Sequence, residues 1–211
     1  MSSEKQVPLV VIKRLPRYYR YLGELLKNNI TRISSTELSE KMNVTASQIR
    51  QDLNYFGGFG QQGYGYNVEM LYERIGSILG LDKGYKTIII GAGNLGHALA
   101  NYGGFANRGF ELIGVFDSDV SKVGSEVAGV KVKSDSELEE FINEYNPDIA
   151  ILTVPKAAAV ETANKLVSYG IKALWNFAYV DLVLSGDVVV ENVHLSESLM
   201  TLSYRMTDGK K

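Results

Sequence analysis

The sequence predicts an α/β fold in two parts: a small helical domain ending in a glycine-rich ribbon, then a doubly wound parallel sheet. Three observations predict it. Capped, helix-period segments fill the chain before residue 82, and short apolar β-type runs alternate with helical segments after it. A glycine motif also stands directly between the first apolar run and the helix that follows. The reading divides the chain into residues 1–81, 82–193 and 194–211, the last a helix and tail. Residues 81–85, Leu-Asp-Lys-Gly-Tyr, supply a short turn-like joint.

Length and composition fit this division. Domains run to about 100–150 residues, so 211 residues suffice for one or two. An apolar fraction of 45% with 22% charged residues is globular composition. The absence of cysteine excludes disulfide frameworks, thiolate metal sites and thiol nucleophiles, and no metal is expected. Residues 1–6 lack the basic flank and apolar core of a secretory signal. No apolar run approaches the ~20 residues that span a bilayer. The expectation is a soluble, cytoplasmic protein without membrane contact. Charge is uneven: residues 1–80 carry ten basic and seven acidic side chains, +3, leaving −5 for the rest of a chain whose net charge is −2. That asymmetry suits a front half that meets phosphates, although +3 is a weak signal alone.

In the first part, Leu22, Leu25, Leu26 and Ile30 form the apolar stripe of a first helix, with Pro16 in its first turn, where a missing N–H costs little. Helices follow at 36–42 and 46–55. Ser34 with Glu37 and Thr45 with Gln48 read as capping boxes, in which side chains satisfy the free amides of a helix start. Two capped helices separated by Asn43 and Val44 make a helix-turn-helix. On the second helix Ile49, Leu53 and Phe56 recur at core spacing and face Leu38, Met42 and Val44. The other face shows Ser47, Arg50, Gln51 and Asn54, all hydrogen-bond donors. Arg suits guanine O6 and N7, Gln and Asn suit adenine, and a major groove about 12 Å wide admits a helix. The same face would suit a plain solvated helix. Asp52 is expected to pair within the protein. Residues 57–66, Gly-Gly-Phe-Gly-Gln-Gln-Gly-Tyr-Gly-Tyr, can form a tight β-ribbon whose backbone approaches phosphates, the wing of a winged helix. The DNA-contact set is therefore Thr45, Ser47, Arg50, Gln51 and Asn54, with Gln61, Gln62 and Gly63 on the wing.

In the second part, strands are predicted at 86–91, 111–116, 149–154, 171–175 and 188–190, and helices at 95–102, 136–145 and 157–168. This alternation implies a parallel sheet covered by helices. Leu195, Leu199, Leu202 and Met206 stripe a last helix. Gly91, Ala92, Gly93, Asn94, Leu95 and Gly96 spell GxGxxG between strand and helix. The first glycine permits the turn, the second a close pyrophosphate, and the third close helix–strand packing, with phosphate on the helix amides. The next apolar run ends in Asp117, 21 positions after Gly96, where a carboxylate accepts from a ribose 2′-hydroxyl. No arginine follows to receive a 2′-phosphate, so this Rossmann-type motif favours NAD⁺/NADH over the phosphorylated form. Val154 and Pro155, after the 149–154 strand, are expected to touch the cofactor. Asn176, Phe177 and Ala178 are expected as a further wall, with Phe177 a contact, and Lys156 as phosphate-facing or exposed.

Acid–base chemistry is missing from this reading. His97 and His194 form no recognisable pair, and Tyr102, Tyr145 and Tyr169 have no lysine four residues on. A sensor is favoured over a catalyst.

The run 44–66 with its Gln-Ile-Arg-Gln-Asp-Leu-Asn-Tyr-Phe-Gly core, the GAGNLG motif, Ala100-Asn101-Tyr102, Leu152-Thr153-Val154-Pro155, Trp175-Asn176-Phe177 and Val190-Glu191-Asn192-Val193 together resemble the redox-sensing repressor family Rex. The match covers nearly the whole chain. It implies a homodimeric bacterial repressor on a palindromic operator in double-stranded DNA, released when NADH outcompetes NAD⁺, with the C-terminal helix exchanged between subunits. The family's interdomain polar link maps to Arg20 and Tyr102, and its acidic third member falls on His194. Gln51 stands where a lysine is frequent, and Gln61 and Gln62 where the wing is often basic, which implies fewer phosphate contacts. Two other readings stay open: a small NAD-dependent dehydrogenase, and a regulator whose second domain binds CoA or another nucleotide.

Overall fold

A computed structural model describes residues 7–57, 60–61 and 65–207. The chain divides into two compact units after Asp82, within the joint read from sequence at residues 81–85 and one residue past the bound at 81.

The first unit opens with a single turn, α1 (Leu9–Ile12), and α2 (Leu15–Lys27), which carries Pro16 in its first turn. Leu22 and Leu25 are buried and Leu26 half-buried, but the expected stripe ends before Ile30, which is exposed. The helix closes in a Schellman turn. Asn29 takes a left-handed φ of 58°, its N–H bonds Leu26 O, and Ile30 N–H bonds back to Leu25 O. Then come β1 (Arg32–Ile33), α3 (Ser35–Met42), α4 (Ala46–Asn54), β2 (Gly60–Gln61), β3 (Gly65–Asn67) and α5 (Val68–Ile78). The ribbon is real: β3 pairs antiparallel with β2 on one side and with β1 on the other. Helix α5 was not legible as an element, yet Val68, Leu71 and Ile75 bury one stripe and Asn67 caps it through Met70 N–H. It packs along α2 by exchange of small for large. Gly23 leaves space for Tyr72, Gly76 leaves space for Tyr19, and the two rings stack at 4.2 Å between centroids. Leu15, Tyr18, Leu22, Leu38, Met42, Ile49 and Leu53 complete this core.

The second unit is a seven-stranded sheet built from β4 (Tyr85–Ile90), β5 (Phe110–Asp117), β6 (Glu126–Val127), β7 (Val130–Ser134), β8 (Ile149–Leu152), β9 (Ala173–Asn176) and β10 (Val189–Asn192). Their order is β10-β9-β8-β4-β5-β7-β6, parallel except for the β6–β7 hairpin. This is the doubly wound order, which reverses between β4 and β8. Helices α6 (Asn94–Ala100), α7 (Leu138–Tyr145) and α8 (Lys156–Ser168) connect strands, and α9 (Leu195–Thr207) ends the described chain. The strand expected at 171–175 starts later, because Ile171 closes α8 by bonding back to Leu166 O, with Gly170 at φ 105°. The hairpin β6–β7 was missed; its lysines and short length hide the alternation that buries Val127 and Val132.

Alternation along the strands divides the core. Ile88, Ile90, Ala150, Leu152 and Leu174 share one face and pack against α7 and α8 through Phe141, Ala159, Ala163 and Leu166. Ile89, Val115, Val132 and Ile151 point to the other face, where α6 contributes Leu99 and Ala100. Toward β9 and β10 that second face lines an apolar cavity of about 300 Å³, walled by Thr87, Phe105, Ile149, Ile151, Trp175 and Val189.

Candidate functional site

In the first unit, the start of α4 is fixed by Thr45, whose Oγ1 accepts from Gln48 N–H at 3.1 Å. Of the two helices α3 and α4, α3 has the complete capping box, with Ser34 and Glu37 exchanging both bonds. The second expected box is half-made, because the Gln48 amide turns instead to Asp52, 2.9 Å away. Asp52 is 0% exposed. Arg14 grips it with two bonds of 2.7 Å, and Tyr18 Oη donates at 2.8 Å. Burial pushes this carboxyl up, but bonds from Arg14, Gln48 and Tyr18 and the Arg14 charge outweigh burial and hold it below the ordinary range. Its companion Tyr18 is pushed up, chiefly by burial and then by Asp52. Asp52 thus ties the inner side of α4 to α2, as expected of an internal pair, and leaves the outer side free of acid.

On that outer side Ser47, Arg50, Gln51 and Asn54 are exposed, as is Thr45. Arg50 donates to Ser35 Oγ at 2.8 Å, so its guanidinium already leans across α3. Gln61 lies in β2, whereas Gln62 and Gly63 fall outside the described residues.

In the second unit, the strand order reverses where the glycine motif stands, and each glycine has its own reason. Gly91 has φ 104°, and a side chain there would press on Thr153 O at 2.9 Å. At Gly96 a Cβ would collide with Gly91 O, so only glycine lets α6 approach the strand end. At Gly93 a Cβ would meet nothing within 4 Å, and this glycine lines a cavity of about 600 Å³. Such a volume suits a sizeable ligand. Thr153 Oγ1 locks the motif to β8 by donating to Gly91 O at 2.7 Å and Ile90 O at 3.1 Å.

Gly91, Gly93, Leu95, Asp117, Val154, Pro155 and Phe177 line this cavity. Ala92, Asn94 and Gly96 do not; Ala92 and Gly96 are buried behind it, where they shape the loop. Sequence reasoning did not single out Ser118, Asp119, Lys122, Asp135, Thr153 and Tyr179, which join the wall. Lys156 lines it and is exposed. Asn176 is corrected from wall to scaffold. It is fully buried, donates to Val180 O at 2.7 Å and Asn192 Oδ1 at 2.9 Å, and accepts from Ala178 N–H, which shapes the loop carrying Phe177 and Tyr179.

Asp117 also differs from the simple picture of a free ribose acceptor. It is 7% exposed, and its oxygens already accept from Ala92 N–H at 2.7 Å, Asp119 N–H at 2.8 Å and Lys122 Nζ at 2.9 Å. Burial raises its pKa, but these bonds and the Lys122 charge prevail and lower it. Lys122, five residues on, could have been suspected from the Asp-Ser-Asp turn that folds it back. The carboxylate is therefore ionised, paired and held in place, with one edge toward the cavity.

The residues expected to link the units sit as follows. Arg20 is exposed on α2, its guanidinium 5.2 Å from the Tyr21 ring centroid. Tyr102 is exposed and meets Phe105 edge-on; Phe105 meets Trp175, and Trp175 meets Phe177, at 4.7, 5.4 and 4.6 Å between centroids. This unbroken row of rings joins Tyr102 to the cavity wall. His194 Nε2 lies 3.0 Å from Asp181 Oδ1, its ring edge-on to Tyr179. Among the described residues no cluster of ligating side chains could hold a metal ion, and no helix is long and apolar enough to cross a membrane.

Comparison with known proteins follows the same two halves. Residues 6–54 match a family described as putative DNA-binding protein N-terminus, and residues 82–180 match one described as CoA binding domain. The chain is 59% identical over 208 residues to the redox-sensing transcriptional repressor Rex of Thermoanaerobacter pseudethanolicus, covering 99% of this chain and 93% of that one. To the Rex repressor of Clostridioides difficile it is 54% identical over 210 residues, 100% of each. Among solved structures it is similar to RSP in complex with beta-NAD⁺ and operator DNA, with TM-score 0.91, 59% identity and coverage of 97% and 94%. RSP in complex with beta-NADH gives TM-score 0.90, 56% identity and coverage of 98% and 97%. With both units matched in one continuous alignment, the chain belongs to the family of Rex redox-sensing transcriptional repressors.

Proposed function

We propose that this protein is a homodimeric repressor that binds a palindromic operator and leaves it when NADH replaces NAD⁺, so that transcription follows the NADH/NAD⁺ ratio. The observation that carries this reading is the coexistence, in one chain, of an acid-free donor face on α4 and a dinucleotide-sized cavity at the point where the strand order reverses. A dehydrogenase would have no use for the first.

Arg50, Gln51 and Asn54 read bases, with Thr45 and Ser47 toward the phosphates at the start of α4, and Gln61, Gln62 and Gly63 approach the backbone from the wing. In the second unit the open space over Gly93 admits a pyrophosphate, Asp117 takes a ribose hydroxyl, and Val154, Pro155, Phe177 and Tyr179 enclose the nicotinamide. These residues fit NAD(H) better than CoA, whose ribose carries a 3′-phosphate that Asp117 and Asp119 would oppose. The complex of the relative RSP with beta-NAD⁺ and operator DNA and its complex with beta-NADH support the same assignment. The chain senses the dinucleotide and does not turn it over. A regulator of chromosomal transcription acts in the cytoplasm, the compartment we assign to it.

Dimerisation is assigned to α9. It has no buried residue, and Leu195, Leu199, Leu202 and Met206 are exposed. The apolar cavity on the uncovered end of the sheet offers a partner's helix a seat. NAD⁺ and NADH differ in one hydride and one positive charge, so discrimination must arise at the nicotinamide. The ring row from Phe177 ends at Tyr102, which the family resemblance, with Arg20, assigns to an interdomain link whose acid His194 replaces. Subunit rotation would then spoil the 34–36 Å separation of recognition helices that adjacent turns of DNA require.

Linkage makes this testable, because each ligand must weaken the other by one factor. NADH affinity is measured with and without a saturating operator duplex, alongside NAD⁺ and CoA as competitors. Operator should weaken NADH binding by the factor by which NADH weakens operator binding, and Arg50→Ala should lower operator affinity by roughly 1–3 kcal/mol and relax preference at one base pair. Equal NADH affinities with and without DNA, while NADH still displaces the protein, would overturn the two-state switch. Sustained NADH oxidation would favour the enzyme.

A further inference from the structure

The cavity at the reversal point has two ends of different charge. The end over β5 toward β7 holds its acids, Asp117, Asp119 and Asp135, with Lys122 paired to the first two at 2.9 and 3.9 Å. The end over β8 and β9 has, among the described residues, a single charged lining residue, Lys156. Asp181, two residues beyond Tyr179, does not line the cavity; its side chain is 75% exposed and lies 3.0 Å from His194. With a ribose at Asp117 and the pyrophosphate over Gly93, the rest of a dinucleotide crosses to the β8 end, and its nicotinamide comes to the side of the wall that carries Lys156.

Lys156 is the first residue of α8, which follows β8 after three residues. It is exposed, and its ammonium makes no hydrogen bond or ion pair with another described residue. The helix does not account for it. The first turn of α8 carries no acid, and a cation there works against the positive end of the helix dipole. Lysine and dipole instead have the same sign, and together they make the β8 end of the cavity positive.

We propose that Lys156 sets the preference for the reduced dinucleotide, its ammonium opposing the positive ring of NAD⁺ and tolerating the uncharged ring of NADH. The inference rests on the NAD(H) reading of the cavity. The two forms share the adenosine, the second ribose and the pyrophosphate, so contacts to those parts weigh equally on both. Charge on the ring is what differs, and a like charge nearby in a partly enclosed site acts on one form alone. A lysine on the pyrophosphate would instead strengthen both forms by the same factor. Lys156 therefore discriminates by redox state, whereas Asp117 discriminates by sugar.

The test titrates NAD⁺ and NADH separately into the full-length protein by calorimetry, at low and at high salt. Wild type should prefer NADH, and the preference should shrink as salt screens the charge. Lys156→Met keeps the stem and removes the ammonium. NAD⁺ should then tighten roughly threefold to tenfold with NADH little changed, the effect of one unit charge in a partly wetted site. Lys156→Glu should move the ratio further toward NAD⁺, and Lys156→Arg should retain the wild-type ratio. Circular dichroism should match wild type throughout, since the side chain is exposed. Equal weakening of both forms by Lys156→Met would overturn the proposal and assign the ammonium to the pyrophosphate. Unchanged affinities for both would overturn it too, by leaving the lysine in solvent. Either result leaves the NAD(H) reading standing. Binding of neither form by wild type would overturn both readings.

Discussion

Arg14 Nε and Nη2 each donate at 2.7 Å to a different oxygen of Asp52, so α4 is bolted to the start of α2 by a two-pronged ion pair. Asp52 is wholly buried, whereas the Arg14 side chain is 24% exposed. Removing one partner of a buried pair costs roughly 3–5 kcal/mol, and the partial exposure of Arg14 sets the expectation for Arg14→Met near the low end, about 3 kcal/mol. Circular dichroism follows the loss, since the single tryptophan reports on the other unit. The pH dependence has a definite sign. A carboxyl held below its ordinary value of about 3.9 adds stability above that pH and loses it as pH falls through the depressed native value. Acid should therefore weaken the first unit below about pH 4, and Asp52→Asn should flatten that dependence. An unchanged acid profile in the variant would contradict the role given to this pair.

Gly93 and Gly96 stand three residues apart and should fail in opposite ways. Gly96→Ala drives a methyl into the Gly91 carbonyl oxygen, so backbone must move, with an expected loss of about 1–3 kcal/mol in stability. Gly93→Ala meets no protein atom within 4 Å and should leave stability within about 0.5 kcal/mol of wild type. Its methyl nonetheless fills space that the pyrophosphate needs. NADH affinity should fall roughly tenfold or more in a protein that melts normally. Thermal melts and titrations on the same samples decide it; a Gly93→Ala protein that binds NADH normally would remove the loop from the binding site.

The Asp117–Lys122 pair makes a prediction about NADPH. Wild type should prefer NADH because a 2′-phosphate would have to lie against the Asp117 carboxylate. Asp117→Asn does more than remove repulsion, because it frees Lys122 Nζ, now 2.9 Å from Asp117 Oδ2, to meet that phosphate. NADPH affinity relative to NADH should rise roughly tenfold or more. Adding Lys122→Met should cancel the gain. If the double variant keeps it, Lys122 has no part in selectivity.

Several of these relationships were visible as local rules. Ser34 and Glu37 face each other across one helical turn, so their box follows from spacing. Asp52 stands next to a face made of donors, which predicted an internal partner without naming it. The partner, Arg14, is 38 residues away, at the N-cap of α2. Gln48 shows the opposite failure: its spacing from Thr45 predicted a box, but a buried carboxylate one turn on is the stronger acceptor for its amide. Ile30 continued the apolar period past the point where Asn29 turns left-handed. Thr153 was not singled out because it acts across a gap between strand ends, 62 residues from Gly91, where spacing carries no information.

The order of glycines, the strand-ending Asp117 and the capped helix pair were determined by sequence alone, because each depends on neighbours within a turn or a strand. They suffice for two domains and for the kinds of ligand each takes. Tertiary structure decided which atoms remain available. It neutralised Asp117 with Lys122, drew Arg50 onto Ser35 and buried Asn176 as a scaffold. The physical reason is that a hydrogen-bonding group binds a ligand only with the capacity its own fold leaves unused, and that remainder is set by side chains brought together from distant parts of the chain.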